Sequence, residues 1–187
     1  MVVGKDKFIL NVEKDRELYK MSNIWRYSGR LIQKPENLAE HSFYVAFKVL
    51  ELGSHFNIPE DKIIKALRIA LCHDIGEIYT GDLPHNLKMY SPKIKEISEQ
   101  LEVELISKNF EFFSNDFKDF ADRKDEIVCT LVDLADCADV LMFIDREELL
   151  GNKHEDIMQI RTECYERFTR ISMKLEQLTV QYNKTDK

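Results

Sequence analysis

The segment from Glu60 to Asp74 constrains this chain most. Ile63, Leu67, Ala70 and Leu71 recur at the three-to-four-residue spacing of one helix face, and the stripe runs straight into His73-Asp74. This spacing predicts a helix from about Glu60 to Glu77, with Asp74 on the apolar face and His73 beside it. A carboxylate at the end of an apolar stripe costs on the order of several kcal/mol unless something pairs with it. For an adjacent imidazole and carboxylate the economical partner is a divalent metal ion. Ile75-Gly76-Glu77 and Thr80-Gly81-Asp82-Leu83-Pro84 then add two more acids in a turn-rich stretch, which reads as an active-site loop.

The rest of the chain is patterned the same way. Six glycines and four prolines in 187 residues leave few breaks, and no alternating run of useful length suggests a strand. A first helix is predicted over Lys5 to Ser22, with Phe8, Ile9, Val12 and Leu18 inward. Asn37, with Glu40 three residues on, marks a helix start, and Leu38, Val45, Val49 and Leu52 carry that helix to Gly53. Ser91-Pro92 opens another, followed by Ile94, Ile97, Leu101 and Leu105. The longest core helix runs from Ile127 to Leu150, with Leu131, Leu134, Ala138, Leu141 and Met142 on one face, and Gly151-Asn152 caps it. A last helix, about Glu155 to Gln181, places Ile157, Cys164, Ile171 and Leu178 seven apart, with Phe168 and Leu175 between them. Such a seam packs on the domain's own bundle or on a dimer partner. The expected fold is all-α, a single-domain helical bundle over residues 1–187, a length that buries one sizeable core.

Charge and cysteine usage narrow the function classes. A formal net charge of −7 with no long basic stripe excludes a nucleic-acid polymer as bulk partner, but not a small phosphate-bearing substrate. Cys72, Cys129, Cys137 and Cys164 form no CxxC pair, so free buried thiols are expected. Met1 to Ile9 lacks a secretory signature, and no apolar run is long enough to span a bilayer, so a cytoplasmic protein without membrane association is expected.

Chemistry can be assembled from His41, in the first turn of the second helix, His73-Asp74, and a distant acid on the long helix. Asp133, Asp136, Asp139 and Asp145 all qualify for that last role, the first three lying near one side of the helix, and periodicity does not choose among them. For any one of them a solvated acidic face is the bland alternative. His55, His85 and His154 read as surface or capping residues, although His85 sits on the loop.

The ordered motifs Glu36-Asn37-Leu38-Ala39-Glu40-His41-Ser42, His73-Asp74-Ile75-Gly76-Glu77, Thr80-Gly81-Asp82-Leu83-Pro84 and Ala135-Asp136 resemble those of the HD-domain metal-dependent phosphohydrolases, and more narrowly the bacterial 5′-deoxynucleotidase branch. The resemblance runs from about Asn23 to Asn152. It implies His41, His73, Asp74 and Asp136 as ligands of one divalent transition metal. Asp136 is singled out by its place after Ala135 and before Glu147-Glu148 and Gly151-Asn152. Mixed imidazole and carboxylate donors suit Mn, Co, Fe, Ni or Zn rather than calcium. The resemblance further implies proton transfer for Glu77, a place near the sugar or the attacking water for Asp82, and a phosphate fork for Arg26, with Lys88 as a second cation. One departure stands out: Tyr27 follows the arginine where the branch has tryptophan, and Trp25 precedes it, which puts strict 2′-deoxy preference in question.

The function so implied is an enzyme, a metal-dependent phosphomonoesterase releasing phosphate from nucleoside 5′-monophosphates, deoxyribonucleotides foremost. A small nucleotide is its substrate and a homodimer its expected assembly. Two alternatives stand beside it: an HD-type phosphodiesterase or nucleotide pyrophosphohydrolase, and a metal-bound nucleotide sensor without turnover.

Overall fold

The computed structural model describes residues 12–83, 87 and 90–185. The regular elements among them are helical: α1 (Val12–Tyr19), continuing into a 3-10 turn at Lys20–Asn23, then α2 (Leu38–His55), α3 (Glu60–Cys72), the one-turn α4 (Glu77–Thr80), α5 (Pro92–Asn109), α6 (Glu111–Ala121), α7 (Glu126–Leu149) and α8 (Glu155–Thr185). Trp25 and Asn37 form an isolated antiparallel bridge. The all-α expectation holds.

Local sequence explains where the helices start and stop. Asn37 accepts a hydrogen bond from the Glu40 N–H at 3.0 Å, satisfying one of the orphan donors at the start of α2. Asp125 does the same for the Val128 N–H at the start of α7. At the other end of α7, Gly151 takes φ +87, and the N–H groups of Gly151 and Asn152 donate to the carbonyls of Glu148 and Glu147, each at 2.9 Å. That is the paired closure a glycine in the left-handed region permits.

Helices α2, α3 and α7 pack on one another, and α8 lies along α7. Val45, Val49, Ala66, Ile69, Leu131, Leu134 and Leu175 form their shared core. Burying each large aliphatic side chain here is worth about 1.5–3 kcal/mol. The seam of α8 is spent within the chain: Ile157 and Leu175 are fully buried, Cys164 nearly so, and Phe168, Ile171 and Leu178 pack against the core.

Several expectations are corrected. Gly53 does not end α2; it is buried inside the helix, where a Cβ would meet Ile63 Cγ1 at 2.8 Å, so it serves the close approach of α3. Helix α3 stops at Cys72, residues 73–76 form a turn, and Glu77 starts a new helix. Its inner face is Ala66, Ile69, Ala70 and Cys72, while Leu71 is 47% exposed. Two overlapping stripes can be drawn through this helix, and packing between α2, α6 and α7 selects the one through Ile69. Leu18, Ile97, Leu101 and Met142 are exposed, whereas Met21 and Ile106 are buried. Residues 110–125 carried no expected element, yet Phe113, Phe117 and Phe120 recur at helical spacing in α6, and Phe117 is buried. Phe8 and Ile9 lie outside the described residues.

Candidate metal centre

The turn after α3 delivers the first pair of donors. The His73 N–H closes the helix on the Ile69 carbonyl at 2.8 Å, and the chain then bends away. His73 Nδ1–H donates to the Ala70 carbonyl at 2.8 Å, which fixes the tautomer and leaves Nε2 as the bare lone pair. The turn is wedged in place: Ile75 is fully buried, and a Cβ on Gly76 would meet Glu102 Cβ at 2.8 Å and its Cα at 3.2 Å. Helix α5 therefore rests directly on the backbone that carries His73 and Asp74.

The first turn of α2 supplies His41, which is fully buried. Its Nδ1–H donates to Asp139 Oδ2 at 2.6 Å, which leaves Nε2 as the nitrogen directed into the centre. That atom lies 3.2 Å from His73 Nε2, 3.2 Å from Asp74 Oδ2 and 3.6 Å from Asp136 Oδ1. His73 Nε2 is 3.4 Å from Asp74 Oδ2. Donors bonded at about 2.0–2.2 Å to one tetrahedral or octahedral ion would sit roughly 2.8–3.6 Å apart. The separations among His41, His73 and Asp74 fall in that range, and these three form one compact donor group, which Asp136 approaches from the side of His41. Two imidazole nitrogens facing each other beside a carboxylate share a positive charge, a proton or a cation in its place, and a divalent metal fits this donor chemistry.

Charges in the centre are strongly coupled. Burial raises the Asp74 carboxyl, but His73, the hydrogen bond from His41 and the Arg26 charge outweigh it and hold the group well below the usual carboxylate range. Burial and Arg26 push the His41 imidazole down, yet its hydrogen bonds to Asp139 and Asp74 prevail and take it up to about 9.

Behind His41 lies a second buried group, Glu36, His41 and Asp139, whose donor atoms also come within 4.8 Å of one another. A cation is already supplied there. Arg26 Nη1 donates to Glu36 Oε2 at 3.1 Å, lies 3.5 Å from Asp139 Oδ2 and touches His41 Nδ1. Burial and the neighbouring Asp139 push the Glu36 carboxyl up. The guanidinium rises despite burial, because Tyr27, Asp74, Asp136 and Glu36 all favour its charge. One nitrogen of the expected phosphate fork is thus committed inward.

The segment carrying Arg26 is fixed from both sides. The Arg26 N–H donates to the Glu36 carbonyl at 2.9 Å and the Leu38 N–H to the Ile24 carbonyl at 3.1 Å, drawing the loop ends together. At the loop's far end the fully buried Glu147 accepts from the N–H groups of Gln33 and Lys34 at 2.7 and 2.9 Å, and Asn152 Nδ2 donates to the Leu31 carbonyl at 2.9 Å. Tyr27 adopts φ +60, stacks on Phe143 with ring centroids 4.5 Å apart, and keeps its phenol oxygen buried without a protein partner. Its N–H donates to Asp82 Oδ2 at 3.0 Å. Glu77 is buried at the start of α4, with its N–H donating to the Asp74 carbonyl at 3.0 Å. Lys88, like Pro84 and His85, lies outside the described residues.

The acids of α7 separate by partner. Asp133 makes a two-pronged bridge to Arg123 at 3.1 and 2.6 Å, and Asp145 lies 3.3 Å from Arg161, both away from the centre. Asp136 and Asp139 face His41. The sequence left Asp139 among four candidate acids, and it gave no sign of Arg167 of α8, whose Nη2 lies 3.6 Å from Asp136 Oδ2. The three-residue spacing to Asp136 was the available signal for Asp139; Arg167 had none, because only the packing of α8 on α7 brings it near. His154 caps as expected, accepting from the Asp156 N–H at 3.3 Å. The four cysteines are free and buried. Among the described residues no helix is long and apolar enough to cross a membrane.

Comparison with known proteins gives the family. The family described as "5′-deoxynucleotidase YfbR-like" matches residues 16–182. A 5′-deoxynucleotidase of Vibrio vulnificus is 32% identical over 154 residues, covering 74% of this chain and 75% of the relative. A dATP triphosphohydrolase of cyanophage S-2L is 30% identical over 97 residues, covering 52% of this chain and 54% of the relative. Among solved structures, an HD phosphohydrolase of cyanophage S-2L, bound to dA and one catalytic Zn²⁺ ion, superposes with a TM-score of 0.57 at 21% identity, covering 93% of this chain and 99% of its own. Its likeness concerns the fold. With the family model matching residues 16–182 and a relative 32% identical over about three quarters of both chains, the chain belongs to the YfbR-like 5′-deoxynucleotidase family.

Proposed function

We propose that this protein is a metal-dependent phosphomonoesterase that hydrolyses nucleoside 5′-monophosphates, deoxyribonucleotides foremost, to nucleoside and phosphate. The observation that carries the proposal is the convergence of His41 Nε2, His73 Nε2 and Asp74 Oδ2, 3.2–3.4 Å apart, with Asp136 Oδ1 approaching His41 Nε2 at 3.6 Å. These four residues are the proposed ligands. A divalent metal held by them, one of Mn, Co, Fe, Ni or Zn, supplies Lewis acidity at the phosphate and the attacking water.

The chain's own residues have separate tasks in this reading. Glu77, buried one turn after Asp74, exchanges protons with the attacking water or the leaving 5′-oxygen. Arg26 offers its remaining donors to the phosphate while Nη1 stays on Glu36, and Lys88 adds a second cation. Tyr27 lies at the sugar, and Asp82 holds the Tyr27 backbone there through its 3.0 Å hydrogen bond. The test is a panel of ribo- and deoxyribonucleoside mono- and triphosphates, assayed with several divalent metals and a chelator control. Chelator-sensitive release of orthophosphate from monophosphates is expected. Pyrophosphate or triphosphate as the released product would move the assignment to the pyrophosphohydrolase alternative, which the phage dATP triphosphohydrolase favours. Tight nucleotide binding without any product would move it to a sensor.

We further read residues 1–187 as one HD-type unit, cytoplasmic and homodimeric. Phe43, Phe47 and Leu50 form an exposed apolar stripe at helical spacing on α2, which supports self-association, and light scattering of the purified protein tests it.

A further inference from the structure

Asp139 lies outside the proposed ligand set, three residues past Asp136 on α7, yet its side chain is as buried as the core. A carboxylate in that position needs a reason, since burial without partners is costly. Its partners are specific. Oδ2 accepts the Nδ1–H of His41 at 2.6 Å and lies 3.5 Å from Arg26 Nη1, which itself donates to Glu36 Oε2 at 3.1 Å. Arg26, which also touches His41 Nδ1, thereby links the carboxylate to Glu36.

The geometry has a direct chemical consequence for His41. A neutral imidazole carries one N–H and one lone pair, and the partner of one ring nitrogen decides which is which. With Nδ1–H directed at Asp139, Nε2 is the nitrogen that faces His73, Asp74 and Asp136, and in the neutral ring it is the one that carries the lone pair. The other proximal imidazole reaches the same state by a weaker device, since His73 Nδ1 donates to the Ala70 carbonyl at 2.8 Å. That acceptor is backbone and no side-chain substitution removes it. The acceptor for His41 is a side chain and can be removed.

We propose that Asp139, braced by Arg26 and Glu36, is the positioning residue that fixes the tautomer and ring orientation of His41 and so presents Nε2 as a metal ligand. The inference rests on the metal reading given above. Removing an acceptor of this kind from a ligating histidine weakens metal affinity about 10–100-fold.

The test uses the full-length protein and Zn²⁺ as the probe. Zinc affinity is measured by chelator competition for wild type, Asp139→Asn, Asp139→Ala and, as a control on the same helix, Asp133→Asn. Asp139→Ala and Asp139→Asn should both bind zinc about 10–100-fold more weakly than wild type. Asp133→Asn should match wild type. Added zinc should restore turnover of both Asp139 variants toward the wild-type rate, with KM for the nucleotide little changed. Long-range ¹H–¹⁵N NMR of the zinc-loaded wild type needs no variant to fold, and it should show His41 protonated at Nδ1. A proton on Nε2 would overturn the proposal, as would unchanged zinc affinity in a folded Asp139→Ala protein. A wild type that binds no divalent metal would instead overturn the metal reading, and this inference with it.

Discussion

The backbone N–H of Tyr27 donates to Asp82 Oδ2 at 3.0 Å, joining two loops that are 55 residues apart. Tyr27 sits at φ +60, a region disfavoured for a bulky side chain, so this contact holds a strained residue in place beside Arg26. Asp82→Ala should therefore lower stability by about 1–2 kcal/mol, the scale of a hydrogen bond to a charged acceptor. It should raise KM for the nucleotide while leaving metal content unchanged. Thermal melts, elemental analysis and steady-state kinetics check the three parts. Full metal with wild-type KM would detach Asp82 from the substrate side of the site.

Asp136 and Asp133 lie one helical turn apart, with opposite surroundings. Asp136→Asn should lose metal and cost orders of magnitude in rate, because its Oδ1 faces His41 Nε2 at 3.6 Å. Asp133→Asn removes a half-exposed bridge to Arg123, a contact worth about 0–1 kcal/mol, and should leave rate and metal content alone. Reversed behaviour of the two variants would show that the ligand register on α7 is wrong.

Metal affinity should depend on pH through His41. Its imidazole is raised from 6.5 to about 9 by hydrogen bonds to Asp139 and Asp74 that outweigh burial and the Arg26 charge. The raised value means that in the metal-free protein this group's contribution to stability is full below pH 6.5 and is lost as pH rises through about 9. Metal competes with the proton for Nε2, so binding releases one proton below that value. Affinity should then rise about tenfold per pH unit up to about 9 and flatten above it. Chelator competition across pH checks the slope, and a flat profile from pH 6 to 8 would refute it.

Tyr27 is the residue proposed to lie at the sugar. Its ring stacks on Phe143 at 4.5 Å and its phenol oxygen is buried without a protein partner. Where the resemblance implies tryptophan this chain has the smaller tyrosine, so room for a 2′-hydroxyl and a weaker deoxy-over-ribo preference are expected. Tyr27→Trp should sharpen that preference by roughly 10–200-fold if one contact of about 1–3 kcal/mol changes at the 2′ position. The measurement is kcat/KM for matched ribo- and deoxyribonucleoside monophosphates in both proteins. An unchanged ratio would remove Tyr27 from the sugar pocket.

Gly76 tests whether the turn itself must be held. A Cβ there would stand 2.6 Å from Glu102 Cγ and 3.2 Å from its Cα, so Gly76→Ala must push α5 away from the backbone that carries His73 and Asp74. Overpacking of this kind costs about 1–3 kcal/mol. The variant should melt lower and bind zinc more weakly than wild type, and equal values in both assays would contradict the wedge.

By itself the sequence determined the helical class, most helix starts and stops, and the ordered motifs that carry the family resemblance. Asn37, Ser91-Pro92 and Gly151 act within one turn of their own backbone, and His73-Asp74 is contiguous, so all are legible locally. The register of the apolar faces was less legible. Ile69 rather than Leu71 points inward, a choice made by α2, α6 and α7 together. Only the tertiary structure decided the surroundings of the ligands. Asp139 and His41 are 98 residues apart, and Arg167 meets Asp136 only because α8 folds back along α7. Nothing in the local pattern distinguishes Asp133, Asp136 and Asp139, since all three share one side of a helix. Their roles are set by what lies opposite: Arg123 for the first, the imidazole edges of the site for the second, and the back of His41 for the third. A carboxylate's task depends on the charge and the donor it faces, and those are brought to it by distant parts of the chain.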